Sequence, residues 1–173
     1  NNMNKIVKLT IIAIVISVSI SMLSTSLFSD GHNAPADASK KVEKIGSLKA
    51  SVTTKPLPAE GSLPKFETSA VGSGTLAGVE VTMMATYWAE MRADGTLYGE
   101  CPNAGVIMAQ DGVGTFRATG IGAFTADGGA SFKGVAYFQA NAPSLSSLNG
   151  TAVVYDWDVD AEGNATWELW EWK

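Results

Sequence analysis

Residues 148–173 alternate apolar and polar side chains with a period of two. Tyr155, Trp157 and Val159 alternate with three aspartates. This period is typical of a β-strand with one buried face, because successive side chains of a strand point to opposite sides. Gly163 and the asparagine after it interrupt the pattern and favour a tight turn. Residues 148–173 are therefore predicted to form a β-hairpin.

The same alternation recurs upstream, and Asp-Gly pairs separate several of the alternating runs. Asp beside Gly favours tight turns, because both residues tolerate positive φ angles. Pro102 interrupts one run and cannot donate a hydrogen bond to a neighbouring strand, so we expect a bulge or a corner there. The predicted upstream strands are residues 45–52, 79–92, 96–110, 114–125 and 130–140.

Glycines mark one face of two of these runs. Residues 114–125 and 130–140 each present Gly, Ala and Phe on one side. Glycine weakens a strand unless the sheet bends sharply or another group approaches closely, and both situations occur in closed barrels. In the loop 141–149, Leu145 and Leu148 predict a short helical turn that caps one barrel end. The fold class is predicted to be all-β, a single antiparallel β-barrel of about eight strands, with an open sandwich as the alternative.

The N-terminal part of the chain has a different composition. Two lysines precede an uncharged, largely apolar run over residues 9–29, followed by a segment rich in proline, alanine and lysine. The pattern predicts a signal peptide over residues 1–29, or a membrane anchor formed by residues 9–29 if it is not cleaved. Either alternative predicts export to a periplasmic or extracellular location. Residues 30–44 are predicted to be a flexible linker, and residues 45–173 the barrel domain.

Charge and residue content exclude several function classes. Residues 66–173 carry four basic and thirteen acidic side chains, a formal charge of −9, which disfavours nucleic-acid binding. The predicted domain contains no histidine and one cysteine, Cys101, which is expected to be buried. A transition-metal site or a His-activated nucleophile needs residues that this domain lacks. We therefore predict no metal, no cofactor and no assignable catalytic residue.

Several segments resemble a group of small uncharacterised prokaryotic proteins. The resemblance is carried by residues 74–82, 95–100, 120–122, 134–139, 148–150 and the C-terminal Trp170-Glu171-Trp172-Lys173. It spans residues 45–173 and implies a barrel similar to that of allene oxide cyclase, at the level of the fold. No catalytic residue of that enzyme corresponds to a position in this sequence, so the resemblance assigns no catalytic role.

Aromatic and charged residues on the predicted strands are the candidates for ligand binding. An eight-stranded barrel is at the size where side chains fill the interior or leave room for one small ligand, and the glycine-rich face favours a cavity. A glutamate enclosed by apolar side chains would have a raised pKa and could transfer protons. The candidate residues are Tyr87, Trp88, Glu90, Phe116, Arg117, Phe124, Phe132 and Phe138.

Three functions are compatible with these patterns. The first is an exported barrel that binds a small apolar or amphipathic ligand without chemistry. The second is an enzyme of the cyclase or isomerase kind, which would be favoured if Tyr87, Glu90 or Arg117 points into a cavity. The third is a structural or partner-binding exported domain, which an exposed tryptophan patch on the C-terminal strands would favour.

Overall fold

The protein forms a closed antiparallel β-barrel. The computed structural model describes residues 42–59 and 61–173. Eight strands follow one another around the barrel, and one short 3₁₀ helix, Pro143–Leu148, lies between the sixth and seventh strands. The strands are β1 (Val42–Leu57), β2 (Lys65–Leu76), β3 (Val79–Met91), β4 (Leu97–Ala109), β5 (Gly112–Phe124), β6 (Ala130–Ala140), β7 (Ala152–Val159) and β8 (Asn164–Trp172).

Every strand pairs antiparallel with its neighbour in the chain, and β8 closes the barrel by pairing with β1. The closing register runs from Val42 opposite Trp172 to Ser51 opposite Asn164. Closure gives both outer strands a hydrogen-bonding partner, which an open sheet of the same strands would lack. The prediction of an eight-stranded barrel is confirmed, as is the C-terminal hairpin formed by β7 and β8.

The first strand extends beyond the segment that alternation had indicated. β1 begins at Val42, three residues before the predicted start of the domain, and continues to Leu57. Pro56 is tolerated in it because β8 pairs with β1 only as far as Ser51, so Pro56 lies where β1 has a single partner. The predicted signal or anchor segment, and the linker up to residue 41, lie outside the described residues.

Helical structure contributes little to the described chain. No helix within the described residues has both the length and the apolar character needed to cross a membrane.

Alternation along the strands fills the barrel with apolar side chains. Trp157 and Trp167, from the closing hairpin, are buried in the same interior as Phe116 and Phe138 of the adjoining strands. The 3₁₀ helix closes one end, since Leu145 and Leu148 are buried there, which confirms the predicted cap. The largest fully buried side chains are Leu48, Leu76, Met83, Leu97, Ile107, Leu145, Val153 and Leu169.

A bulge interrupts β4 at the predicted proline. Cys101 pairs with Ala118 and Gly105 pairs with Phe116, so residues 102–104 lie opposite a single residue of β5. The β3–β4 pairing is irregular at the same place. The extra residues cannot join either ladder, and Asn103 adopts a positive φ of 57° there. The bulge predicted from Pro102 is confirmed.

Candidate functional site

A cavity lies in the middle of the barrel, on the inner side of the β4 bulge. Its volume is about 60 Å³. One water needs roughly 10–15 Å³ of such space, whereas pockets for drug-sized ligands measure about 300–1,000 Å³. The cavity therefore accepts a group of a few non-hydrogen atoms. It is lined by Ala70, Met83, Ala85, Tyr87, Gly99, Glu100, Cys101, Phe116, Ala118, Phe132, Tyr155, Trp157 and Trp167.

Aromatic rings form much of the cavity wall. Trp157 lies edge-on to Trp167 with 6.4 Å between ring centroids, and Tyr87 lies edge-on to Trp157 at 6.2 Å. Phe116 packs on Trp167 at 4.9 Å. Edge-to-face pairs at these separations are favourable contacts, so the rings hold one another in place. The wall is consequently apolar and well defined in shape.

The hydroxyl of Tyr87 is held by neighbouring side chains. It accepts a hydrogen bond from Trp157 Nε1 at 3.1 Å, and the side chain of Thr68 also lies within reach of it. Thr68 is buried, and its hydroxyl lies 2.9 Å from that of Thr54. Burial raises the pKa of Tyr87, so the phenol is neutral at physiological pH. These contacts fix the direction of the Tyr87 ring across the barrel.

Tyr155 reaches across the barrel wall over two glycines. Gly134 of β6 pairs with Tyr155 of β7, and Gly120 of β5 pairs with Gly134. A Cβ atom added at either glycine would lie 2.6 Å from the Tyr155 hydroxyl. The two glycines thus form a slot for the phenol ring. Burial is also the main cause of the raised pKa of Tyr155.

Two residues of β4 border the cavity just before the bulge. Cys101 is buried, as expected, and burial raises the pKa of its thiol, which is therefore uncharged. Glu100 accepts a hydrogen bond from the Tyr98 hydroxyl at 3.4 Å. Glu100 is the one lining residue with a charged side chain, but its carboxylate lies with Tyr98 on the outer face of β4, and no lining residue is Lys, Arg or His. The described residues contain no group of three or more potential metal ligands.

A larger depression, of about 820 Å³, lies beside the β7–β8 turn. Its polar lining residues include Lys49, Asp127 and Asp158, which are all exposed. The carboxylate of Asp160 accepts hydrogen bonds from Asn164 and from the backbone of Glu162 within the turn. The central cavity is the better candidate, because it combines enclosure by aromatic rings with a small number of oriented polar groups.

The structure brings some of the predicted site residues together. Tyr87, Phe116 and Phe132 line the cavity. Phe138 is buried behind it, with its ring centroid 5.5 Å from that of Phe116. Phe124 has an inward-facing position at the end of β5, but it is 50% exposed and packs edge-on against Phe66 at 6.1 Å.

Trp88, Glu90 and Arg117 do not line the cavity, which corrects the predicted set. Trp88 directly follows the inward-facing Tyr87, and Glu90 lies two residues further on the same face as Trp88. Arg117 directly follows the inward-facing Phe116. Because successive side chains of a strand point to opposite sides, all three lie on the outer surface. Trp88 packs against Tyr98 with ring centroids 5.6 Å apart. Its ring also lies 4.4 Å from Lys65 Nζ. Arg117 is exposed on the outside of β5.

The predicted set omitted several residues that do line the cavity. Tyr155, Trp157 and Trp167 belong to the closing hairpin, and Met83 and Cys101 belong to β3 and β4. A signal for the first two was available, because they alternate with outward-facing aspartates. Including every inward-facing residue of each predicted strand would have added Tyr155 and Trp157 to the set.

Comparisons with known proteins identify the fold. No family model and no curated protein matches the chain. A solved structure of a conserved protein of unknown function from Rhodopseudomonas palustris is 11% identical and aligns with a TM-score of 0.64, covering 76% of this chain and 96% of that chain. A protein of unknown function from Clostridium acetobutylicum is 12% identical with a TM-score of 0.62, covering 76% and 99%.

A third solved structure is described as a beta-barrel like protein, from Acinetobacter baumannii. It is 12% identical with a TM-score of 0.60, covering 77% of this chain and 96% of that chain. Each likeness covers most of the neighbour's length at low identity, so it concerns the fold alone. The chain is therefore similar in fold to small bacterial β-barrel proteins of unknown function.

Proposed function

We propose that the protein is an exported β-barrel that binds a small apolar or amphipathic molecule in the central cavity. The observation that carries the proposal is the aromatic-walled space of about 60 Å³ in an otherwise apolar, filled interior. Protein interiors are close-packed, so a space of this size at the centre of the core is unusual. Met83 lies in the wall, and its unbranched side chain can shift to admit a somewhat larger group.

Export is the part of this proposal that rests on sequence. The two lysines, the apolar run over residues 9–29 and the small residues Ser24 and Ser26 near its end have the order of a secretory signal. Fractionation of the producing cells tests this part. We expect the barrel outside the cytoplasm, either free or bound to the membrane through residues 9–29.

Ligand entry can be followed at two adjacent methionines. Met83 is 2% exposed and lines the cavity, whereas Met84 is 48% exposed on the outer face of the same strand. The full chain would be labelled with ¹³C at the methionine methyl groups and titrated with 2-methylpropene, an apolar probe of four carbon atoms. We expect the Met83 signal to shift with saturation while the Met84 signal stays in place.

A variant that fills the cavity provides the control. Ala118→Val adds two methyl groups at a lining position, whereas Ala123→Val adds them on the outer face of the same strand. The first change is expected to abolish the Met83 shift, and the second to leave it intact. If 2-methylpropene never shifts Met83, the ligand-binding proposal is wrong, and a structural or partner-binding exported domain becomes the better description.

An enzyme of the cyclase or isomerase kind is the second candidate. One observation favours it: Tyr87 lies in the cavity wall with its hydroxyl held by hydrogen bonds. Native mass spectrometry of the exported protein would identify a bound molecule. Conversion of that molecule by the wild-type protein, and its loss in Tyr87→Phe, would support an enzyme, whereas unchanged recovery of the molecule supports binding alone.

A further inference from the structure

Tyr155 carries a hydrogen-bond donor that the barrel does not use. Tyr155 lines the cavity, and within the described residues its hydroxyl has no hydrogen-bond partner. The contact of Tyr155 with Trp167 is between rings, with centroids 6.0 Å apart. Tyr155 is partly buried, and polar groups inside proteins usually have a hydrogen-bond partner, so an unused donor beside a cavity calls for a reason.

Packing does not supply that reason. Gly134 and Gly120 form a slot for the ring of Tyr155, and atoms of both glycines lie close to the hydroxyl. A phenylalanine ring would occupy the same slot without the oxygen and without its desolvation. The hydroxyl is therefore dispensable for the barrel itself and available to a molecule in the cavity.

The neighbouring groups restrict the kind of molecule that can use this donor. The lining set has no cationic side chain, and the carboxylate of its one charged residue, Glu100, lies with Tyr98 on the outer face of β4. An anionic ligand would lose its hydration without gaining a compensating charge. The Tyr87 hydroxyl already contacts Trp157 Nε1 and the side chain of Thr68, whereas the Tyr155 hydroxyl has no hydrogen-bond partner among the described residues.

We propose that the Tyr155 hydroxyl donates a hydrogen bond to a neutral oxygen acceptor of the ligand, such as a ketone, aldehyde or ether oxygen. The rest of the ligand packs against the aromatic wall. This inference rests on the proposed ligand-binding function and adds the polar part of the ligand class. It also makes Tyr155 a residue that determines specificity, and we expect the barrel to fold without its hydroxyl.

Two probes of the same shape test the proposal. Acetone and 2-methylpropene each have four non-hydrogen atoms. They differ at one position, where acetone has an oxygen atom and 2-methylpropene has a methylene group. Both would be titrated into the ¹³C-methionine-labelled full chain, with Met83 as the reporter. Tyr155→Phe should weaken acetone binding roughly three- to tenfold, the range of one neutral hydrogen bond, and change 2-methylpropene binding less than about twofold.

Tyr137→Phe is the matched control, because Tyr137 is 52% exposed on the outside of β6. It should change neither affinity. Tyr155→Phe should also be as stable as the wild type, because the hydroxyl has no partner among the described residues. A marked loss of stability in Tyr155→Phe would overturn the inference, because it would reveal a structural role for the oxygen.

The remaining outcomes separate this inference from the proposed function. One outcome is that both probes shift the Met83 signal while Tyr155→Phe changes the two affinities equally, or changes neither. In that case Tyr155 does not donate to a ligand oxygen, and the proposed binding of an apolar molecule is retained. If Tyr155→Phe strengthens 2-methylpropene binding and leaves acetone unchanged, the hydroxyl binds water alone, and the assignment fails as well. If neither probe shifts Met83 in the wild type, the proposed function fails together with the inference.

Discussion

At the residue scale, two glycines of the glycine-rich face lie against a single side chain, Tyr155. Gly120 and Gly134 pair with each other, and Tyr155 lies over both. Glycine generally weakens a strand, so glycines at two paired positions are expected to lower the stability of the sheet there. Here the missing Cβ atoms create the slot that lets a phenol ring lie flat against the wall and reach the cavity.

Alanine at position 120 is expected to disturb this slot. Its Cβ would lie 2.6 Å from the Tyr155 hydroxyl, so Gly120→Ala should lower the free energy of unfolding by about 1–3 kcal/mol. In a Tyr155→Phe background the loss should be smaller, because the nearest atom is gone. Urea denaturation of the two single variants and the double variant measures this coupling.

Gly99→Ala is the control for that cycle. A Cβ at position 99 would lie 3.4 Å from the Phe132 ring, which is an ordinary contact. We therefore expect it to show no coupling with Tyr155→Phe. An equal loss for Gly120→Ala in both backgrounds would mean that the hydroxyl does not limit the slot.

At the element scale, the 3₁₀ helix is the seal of one barrel end. Leu145 and Leu148 are buried, although the helix is a single short segment between two strands. Asp111, in the β4–β5 turn, accepts hydrogen bonds from the backbone N and the hydroxyl of Ser144, at 2.9 and 2.7 Å. Asn149 holds the other end through hydrogen bonds with the backbone of Ala140. The 3₁₀ helix therefore closes the barrel end through its buried leucines, and hydrogen bonds hold it at both of its ends.

Removing the buried part of this seal should be costly. Leu145 is fully buried, so Leu145→Ala should lower the free energy of unfolding by about 2–5 kcal/mol. Ser146→Ala, an exposed position on the same helix, should have an effect within about 0.5 kcal/mol. Chemical denaturation of both variants tests this, and similar values for the two would show that the helix is not part of the core.

At the scale of the whole molecule, the turns share one electrostatic feature. Four aspartates accept hydrogen bonds within or beside turns, and these bonds lower their pKa values below the ordinary value of about 3.9. The main cause in each case is a hydrogen bond from a nearby side chain, namely Thr96 for Asp94, Ser144 for Asp111, Thr125 for Asp127 and Asn164 for Asp160. The ionised carboxylates thus stabilise turns at both ends of the barrel.

The barrel should consequently lose stability in acid. A carboxyl group whose pKa is lower in the folded than in the unfolded state stabilises the fold above its unfolded pKa, and this stabilisation is lost as the pH falls through its folded pKa. The urea midpoint should be steady from pH 7 to about pH 5 and fall below about pH 4. Asp160→Asn should be less stable than the wild type at pH 7. Its free energy of unfolding should fall less than that of the wild type when the pH is lowered. An identical pH dependence of the two proteins would exclude a contribution from this turn.

Much of the fold could be predicted because its signals are local. The period-two alternation and the Asp-Gly turns lie within single strands and hairpins, and so do Pro102 and the pair Leu145 and Leu148. Each of these predicted features is present in the structure. The true start of β1 was less accessible, because pairing with β8, which follows more than a hundred residues later, extends that strand.

The site was predicted less completely. Sequence alternation is enough to place Tyr87 inward and Trp88 outward, once one face is known to be buried. The predicted set nevertheless included residues of both faces, because Trp88, Glu90 and Arg117 were included for their aromatic or charged side chains. The lining residues come from seven different strands, and no pattern within one strand reveals which of them share a depth in the barrel.

The sequence by itself determined most of the strands, the turns and the cap, because these depend on neighbours a few residues apart, whereas β2 was not among the predicted strands. The tertiary structure alone decided that β8 meets β1, that the β4 bulge lies against a cavity, and that Tyr155 crosses two glycines to reach it. Those features depend on the register between strands and on the closure of the barrel. Register sets the depth of each side chain, and depth decides whether inward-facing residues fill the core or leave a space.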